Sequence, residues 1–103
     1  MKALLTVLLI LLPALANAAD INCKGKVTWV MDYPQQCSGN TAFKTSGSNG
    51  QWICPPSDKS NAIVLAALAA DKSVEVYIDD KNGSISCSSL PHYVSARYII
   101  INP

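Results

Sequence analysis

The sequence predicts a small α+β domain whose strands are mainly antiparallel. Three observations lead to this fold class: short segments that alternate polar and apolar residues, a single alanine-rich helical segment among them, and four cysteines in a chain of 103 residues. The elements follow one another as three strands, one helix and two strands, which leaves room for one extra short strand near Ile85. Because strands and helices do not alternate, a parallel sheet is not expected.

The first 18 residues have the three regions of a secretory signal peptide. Lys2 supplies the positive start, residues 3–12 are almost entirely apolar, and Ala-Asn-Ala at 16–18 provides the small residues that signal peptidase recognises. The apolar stretch is shorter than the roughly 20 residues of a membrane-spanning helix. We therefore expect cleavage after Ala18, which leaves a single secreted or periplasmic domain, residues 19–103, with no membrane span.

The charge of the exported chain is balanced. Without Lys2, seven basic residues stand against seven acidic ones. Nucleic-acid-binding domains usually carry a basic excess on one face, so we expect no nucleic-acid partner. A domain of this size also has a thin core and often needs covalent cross-links.

All four cysteines follow the signal peptide: Cys23, Cys37, Cys54 and Cys87. An even number of cysteines in a small exported domain predicts two disulfides. The alternative of a zinc site is disfavoured because no two cysteines form a C-x-x-C pair. Four cysteines allow three pairings, and the cysteine count does not choose among them.

The predicted strands before the helix are residues 26–33, 41–45 and 51–54. In the first of them Val27, Trp29 and Met31 share one face, so we expect all three in the core. Asn49-Gly50 predicts a tight turn between the second and third strands, since both residues tolerate a positive φ.

The helix is predicted over residues 61–70, with Ser57 or Ser60 as its N-cap. The expected core-facing stripe is Val64, Leu65 and Leu68. The opposite side would carry Ile63, Ala66, Ala67 and Ala70. Because a helix that is apolar all round is usually buried, this side predicts a contact with a second subunit. The alternative is that the alanines serve helix propensity and stay exposed to water.

The two strands after the helix differ in pattern. In residues 73–79, Val74, Val76 and Ile78 point one way while polar residues and Tyr77 point the other. The turn Asp80-Lys81-Asn82-Gly83 follows. The last strand, residues 95–101, has Ile99 and Ile101 on one face and Tyr98 and Ile100 on the other. A strand that is apolar on both faces is covered on both, which again predicts a homo-oligomer.

A five-stranded, partly open barrel with a helix between its third and fourth strands is the OB arrangement, and the predicted element order fits it. Exported OB domains of this size with two disulfides resemble the B subunits of bacterial AB5 toxins, which bind cell-surface glycans as pentameric rings. The chain is also similar to small exported bacterial proteins of unknown function, through Trp-Ile-Cys at 52–54, the alanine-rich helix end at 66–70, Val-Tyr-Ile at 76–78 and Arg-Tyr-Ile-Ile at 97–100. These resemblances imply a fold and a compartment.

The OB topology also implies a disulfide pairing. Its first strand runs antiparallel to its fourth, so Cys23 at the start of the first strand would lie near Cys87, which follows the fourth. Cys37–Cys54 would then brace the loop after the first strand against the end of the third.

The sequence offers little catalytic chemistry. His92 is the only histidine, and a histidine base needs an orienting carboxylate and a nucleophile beside it. Asp79-Asp80 with Asn82-Gly83 lacks the spacing and the terminal Glu of a calcium loop. We therefore expect no enzymatic activity, no metal and no cofactor.

The candidate binding residues are Tyr33, Gln35, Gln36 and Tyr77. Tyr77 lies on the polar face of its strand, and the other three lie at or in the loop after the first strand. Trp52 shares a face with Cys54, so we expect it in the core against a disulfide.

Three functional hypotheses remain. The first is an exported module that binds a glycan or a protein. The second is a cell-envelope inhibitor or immunity-type protein that blocks a hydrolase with the disulfide-braced loop 35–40. The third is a small hydrolase that uses His92 and a serine. A ring-shaped oligomer would favour the binding module, and a monomer would favour the inhibitor. A His92→Ala substitution without effect on activity would exclude the hydrolase.

Overall fold

The computed structural model describes residues 19–32 and 35–103. The predicted signal peptide, residues 1–18, and the candidate binding residue Tyr33 lie outside the described residues. The described strands are β1 (Asp20–Asn22), β2 (Gly25–Met31), β3 (Ala42–Thr45), β4 (Ile53–Cys54), β5 (Ser73–Asp79), β6 (Val94–Ser95) and β7 (Tyr98–Ile101). Helix α1 (Asp58–Ala70) lies between β4 and β5. Within this part of the chain, no helix has the length and apolar composition needed to cross a membrane.

The strands form one sheet that curls into a half-barrel, and the predicted α+β class is confirmed. β5 pairs antiparallel with β1 and β2 along one edge and with β7 along the other. β2 continues to β3 and then β4 through antiparallel pairs. β4 pairs with β6, and this pair is parallel.

The predicted last strand is divided into β6 and β7. Between them, the Ala96 N–H donates to the carbonyl of Cys54 at 3.0 Å, while the Arg97 N–H donates to the carbonyl of Tyr77 at 2.7 Å. Consecutive residues therefore bond to two different strands, and the chain passes here from β4 to β5. Residues 80–93 form turns and loops, so the extra strand considered near Ile85 is not present there.

Helix α1 begins three residues earlier than predicted and packs on a different face. Of the two candidate caps the structure uses Ser57, whose side-chain oxygen accepts a hydrogen bond from the Ser60 N–H at 3.2 Å. The buried helix face is Ser60, Val64 and Ala67. Leu65 and Leu68 are 42% and 44% exposed, so their predicted place in the core was wrong. The small side chain of Ala67, fully buried, allows the helix to approach the sheet closely, and this turns the leucines outward.

A β-bulge in β2 overturns the predicted position of Trp29. Val27 lies opposite Thr45 and Trp29 opposite Lys44, so the intervening Thr28 is an inserted residue and the alternation shifts by one. Val27 remains in the core, but Trp29 is 65% exposed. Beyond the bulge Val30, not Trp29, packs against the core.

Other local predictions are confirmed. Asn49 and Gly50 have φ angles of 54° and 75°, the left-handed geometry expected of their turn. In β5, Val74, Val76 and Ile78 are buried, whereas the alternate residues are half-buried. In β7, Ile99 is buried, while Tyr98 and Ile100 on the other face are each 44% exposed.

The two predicted disulfides, Cys23–Cys87 and Cys37–Cys54, are both present. Cys23 belongs to the main core between the sheet and α1, and Cys87 packs against it. The largest members of that core are Phe43, Ile53, Ile78, Val64, Val74 and Val76. Cys37–Cys54 belongs to a second, smaller cluster with Ala42. The domain therefore has two apolar clusters, each with its own disulfide.

Candidate recognition surface

A row of aromatic and basic side chains crosses the outer face of β2, β3 and the residue before β4. Trp29 on β2 lies opposite Lys44 on β3. The pairing of Phe43 with Ile53 places Lys44 next to Trp52. The Lys44 ammonium lies 4.6 Å from the centre of the Trp52 ring, the geometry of a cation–π contact. We call these three residues the Trp29–Lys44–Trp52 row.

The backbone of Trp52 is hydrogen-bonded to His92 and Tyr93, at the end of the loop after β5. The Trp52 N–H donates to His92 Nδ1 at 3.4 Å, and the Trp52 carbonyl accepts from the Tyr93 N–H at 2.8 Å. In the tautomer that matches this hydrogen bond, Nδ1 is the acceptor and Nε2 carries the proton. Tyr93 has a φ of 61°, a costly conformation for an aromatic residue that the surrounding contacts must maintain.

The second disulfide anchors the surface beside the row. Trp52, Tyr93 and Met31 all pack on the Cys37–Cys54 cluster, which confirms the predicted contact of Trp52 with a disulfide although Trp52 is only half-buried. Thr41, which follows the turn over residues 35–40, is hydrogen-bonded to α1. Its N–H and its hydroxyl both donate to Asn61 Oδ1, at 3.0 and 2.5 Å. The turn over residues 35–40 is thus braced at Cys37 and just after its end.

Within residues 19–32 and 35–103, Lys44 has no ion-pair partner, unlike two of the other basic residues. Lys26 forms an ion pair with Asp71 at 3.2 Å, and Arg97 forms one with Asp20 at 3.0 Å. Among the described residues, no carboxylate forms an ion pair with Lys44. The row therefore presents a positive charge that the described part of the chain does not neutralise.

The predicted binding residues do not come together in one site. Gln35 and Gln36 are exposed in the turn beside Cys37, close to the second disulfide. Tyr77 lies on β5, on the outer face of the part of the sheet formed by β1, β5 and β7. They remain candidate binding residues on two separate surfaces.

The surroundings of Tyr77 make it a less suitable ligand site. Its ring stacks on Tyr98 with centroids 4.6 Å apart and planes inclined by 17°. Its hydroxyl donates to Glu75 Oε1 at 3.2 Å, and Asn22 Nδ2 donates to the same oxygen at 2.9 Å. Partial burial, and then the negative charge and hydrogen bond of Glu75, raise the pKa of Tyr77. These polar groups already satisfy one another, so few of them are free for a ligand.

His92 has no catalytic partner in the described part of the chain. Its one hydrogen bond there is with the Trp52 N–H, and its ring lies 5.0 Å from that of Tyr93. The nearby Ser86 and Ser89 bond to each other instead. The structure therefore lacks, among its described residues, the hydrogen-bonded nucleophile and base that the hydrolase hypothesis requires.

Sequence reasoning missed the row because it assigned Trp29 and Trp52 to the core. The alternation over residues 26–33 favours Val27, Trp29 and Met31 as the apolar face, because the other parity carries Lys26, Thr28 and Asp32 beside Val30. Lys44 and Tyr93 stand in no motif that would single them out. The only available signal was Val30, an apolar residue on the otherwise polar face of β2, which is compatible with a bulge.

No protein-family model, no curated protein and no solved structure matches this chain. Function is therefore inferred from the geometry of the surface alone.

Proposed function

We propose that this chain is an exported, non-catalytic module of OB type that binds a glycan through the Trp29–Lys44–Trp52 row. The observation that carries the proposal is the 65% exposure of Trp29 on a paired strand, opposite a lysine that already contacts a second tryptophan. An aromatic side chain contributes more apolar area than most others when it is buried. Its exposure on a paired strand leaves that area available to a ligand.

The chemistry of the row suits a sugar. Flat aromatic rings pack against the apolar C–H faces of sugar rings, and neighbouring polar groups can bond the hydroxyls. Trp29 and Trp52 lie two strands apart, about 10 Å given the usual strand spacing, which suits a short oligosaccharide. The exposed amides of Gln35 and Gln36 and the Nε2–H of His92 lie on the loops that flank the row.

The order of strand pairing supports the OB assignment. If β1–β2 and β6–β7 each count as one bent strand, five strands result, and α1 lies between the third and the fourth. The first strand then pairs with the second and fourth, and the third and fifth are parallel neighbours. OB domains bind oligosaccharides on the face of strands 2 and 3, which correspond here to β3 and β4, beside Lys44 and Trp52.

Two disulfides support the proposed export, because structural disulfides form and persist in oxidising compartments such as the periplasm and the extracellular space. Intact mass spectrometry of protein recovered from the exported fraction should give the mass of residues 19–103 with both disulfides formed. Recovery of a full-length chain held at the membrane would contradict the signal peptide.

The binding function can be tested on a printed glycan array with the oxidised protein. Trp29→Ala should weaken binding at least about tenfold, since tryptophan is among the residues that dominate binding energies. Lys59→Ala is the control, because Lys59 is a long exposed side chain on α1, away from the row and outside the proposed subunit contact. Equal binding by Trp29→Ala and the wild type would refute the proposed surface, and the absence of any bound glycan would refute the proposed function.

The inhibitor hypothesis stays as a second candidate, favoured by one observation. The turn over residues 35–40 carries exposed Gln35 and Gln36 and is held by the buried Cys37–Cys54 bond, as a rigid blocking loop would be. If an envelope hydrolase is isolated through its binding to this protein, the protein should inhibit its activity. The double variant Gln35→Ala/Gln36→Ala should then lose this inhibition, whereas Trp29→Ala should keep it. The opposite pattern would exclude this candidate.

Self-association is part of the first proposal. Leu65 and Leu68 on α1 and Tyr98 and Ile100 on β7 are the large apolar side chains, besides Trp29, that a partner subunit could cover. Light scattering at tens of micromolar should detect an oligomer that Leu68→Glu dissociates. A monomer would remove the ring-forming interpretation and favour the inhibitor.

A further inference from the structure

We infer that Lys44 makes the Trp29–Lys44–Trp52 row selective for a glycan that carries an acidic group. The inference rests on the proposed function, because it specifies the ligand of the same surface. It concerns one acidic sugar unit and not a polyanion, since the row has a single cation and the exported chain has no basic excess.

The first step is that the charge of Lys44 is available. Among the described residues no carboxylate forms an ion pair with Lys44, which is equally true of Lys24, Lys59, Lys72 and Lys81. Those four lysines are exposed, whereas Lys44 is half-buried and held against the Trp52 ring. The contact with the Trp52 ring holds the Lys44 ammonium on the outer face of the sheet. An aromatic ring does not neutralise the positive charge as a carboxylate would. An anion that reaches this face therefore meets a positioned cation with three N–H donors.

The second step is the composition of the strands around Lys44. β2, β3 and β4 contain no Asp or Glu, so the strands that carry the row place no negative charge next to the ammonium. Lys44 is also half-buried, and partial removal of water strengthens its attraction to an anion. A carboxylate or sulfate is the group that this environment complements.

The third step is the placement of the charge between two indole rings. Lys44 sits in the middle of the row, with Trp29 on one neighbouring strand and Trp52 beside the other. A sugar that packs on the exposed Trp29 ring therefore places a substituent within reach of the ammonium. An acidic peptide would use the charge but leave the flat face of Trp29 without the ring-shaped partner it suits.

The test uses an array on which each carboxylated or sulfated glycan is printed beside its neutral parent. The oxidised protein should bind acidic glycans, and comparison of carboxylated with sulfated members identifies which acid is preferred. Lys44→Gln should weaken this binding at least about tenfold, because hydrogen bonds to charged groups contribute more than neutral ones. Lys59→Gln, which removes the same charge from an exposed position on α1, should bind as the wild type does. Lys44→Arg keeps the charge and the aromatic contact and should retain most of the binding.

Three outcomes would overturn the inference. Equal binding of neutral parents would show that the acid is not recognised, and if Trp29→Ala still abolished that binding, the proposed function itself would stand. Equal losses of binding in Lys44→Gln and Lys59→Gln would show that binding depends on the net charge of the protein and not on the position of Lys44. Competition by poly-glutamate as strong as that by the acidic glycan would indicate an acidic peptide ligand. Circular dichroism and thermal denaturation of each variant separate loss of binding from loss of fold.

Discussion

Removal of the Cys37–Cys54 disulfide should disrupt the recognition surface and leave the rest of the domain folded. The bond lies in the smaller apolar cluster, and the main core between the sheet and α1 contains neither of its cysteines. In the double variant Cys37→Ala/Cys54→Ala, the turn over residues 35–40 loses its covalent brace, and the environment of Trp52 changes with it.

The expected loss of stability follows from the length of the loop that each bond closes. Cys37 and Cys54 are separated by 17 residues, so the chain-entropy relation gives about 3 kcal/mol at 25 °C. Cys23 and Cys87 are separated by 64 residues, for which the same relation gives about 4 kcal/mol. Cys23 is also a member of the main core, so its loss should cost packing in addition. Small domains have total stabilities of only about 5–15 kcal/mol, so both effects are measurable.

Guanidinium denaturation followed by circular dichroism measures both losses. Tryptophan fluorescence reports on Trp29 and Trp52, of which only Trp52 packs on the Cys37–Cys54 cluster. We expect Cys37→Ala/Cys54→Ala to keep the far-ultraviolet spectrum, shift the fluorescence and unfold at lower denaturant. The matched control Cys23→Ala/Cys87→Ala should be the less stable of the two. Greater destabilisation in the Cys37–Cys54 variant, or loss of its β-sheet signal, would refute the division into two clusters.

Three further predictions concern single positions. Ala67→Glu would place a charge on the fully buried face of α1 and should unfold the domain. Ala66→Glu on the exposed side should change the free energy of unfolding by less than about 0.5 kcal/mol. Thermal denaturation compares the two variants. Gly47→Ala would press a Cβ against the backbone carbonyl of Lys24, so chemical denaturation should show a loss of about 1–3 kcal/mol, and an unchanged midpoint would contradict the close approach. The raised pKa of Tyr77, due first to partial burial and then to Glu75, means that its contribution to stability is complete below the ordinary tyrosine pKa of about 10 and is lost as the pH rises above it. In Glu75→Gln, an absorbance titration should show this tyrosine ionising at lower pH, and an identical titration curve would argue against the role of Glu75.

The element pattern of the domain was predictable because it depends on near neighbours in the chain. β5 was predicted with its observed bounds, since its alternation of Val74, Val76 and Ile78 has no competing pattern. Ser57 was one of two proposed helix caps because a hydroxyl before the first turn can accept a backbone N–H. The disulfide pairing was predictable once a topology was assumed, because antiparallel strands bring Cys23 and Cys87 together.

The candidate surface was not predictable, because it depends on which face of each element meets the sheet. The alternation in β2 placed Trp29 on the apolar face with Val27, but the bulge at Thr28 reversed its orientation. On α1 the leucines and alanines are both apolar, and hydrophobicity alone favoured the leucines as the buried stripe.

The sequence by itself determined the class of fold, the number of disulfides, the turns and the two faces of β5, all of which follow from residue types and their spacing. Only the tertiary structure decided that Ala67, and not Leu65 or Leu68, packs against the sheet, and that Trp29 lies outside it. The physical reason is that a close-packed interior selects side chains by shape as well as by hydrophobicity. A small residue lets the helix approach the curled sheet, and an inserted residue lets β2 curl, and both adjustments turn larger apolar side chains towards the solvent.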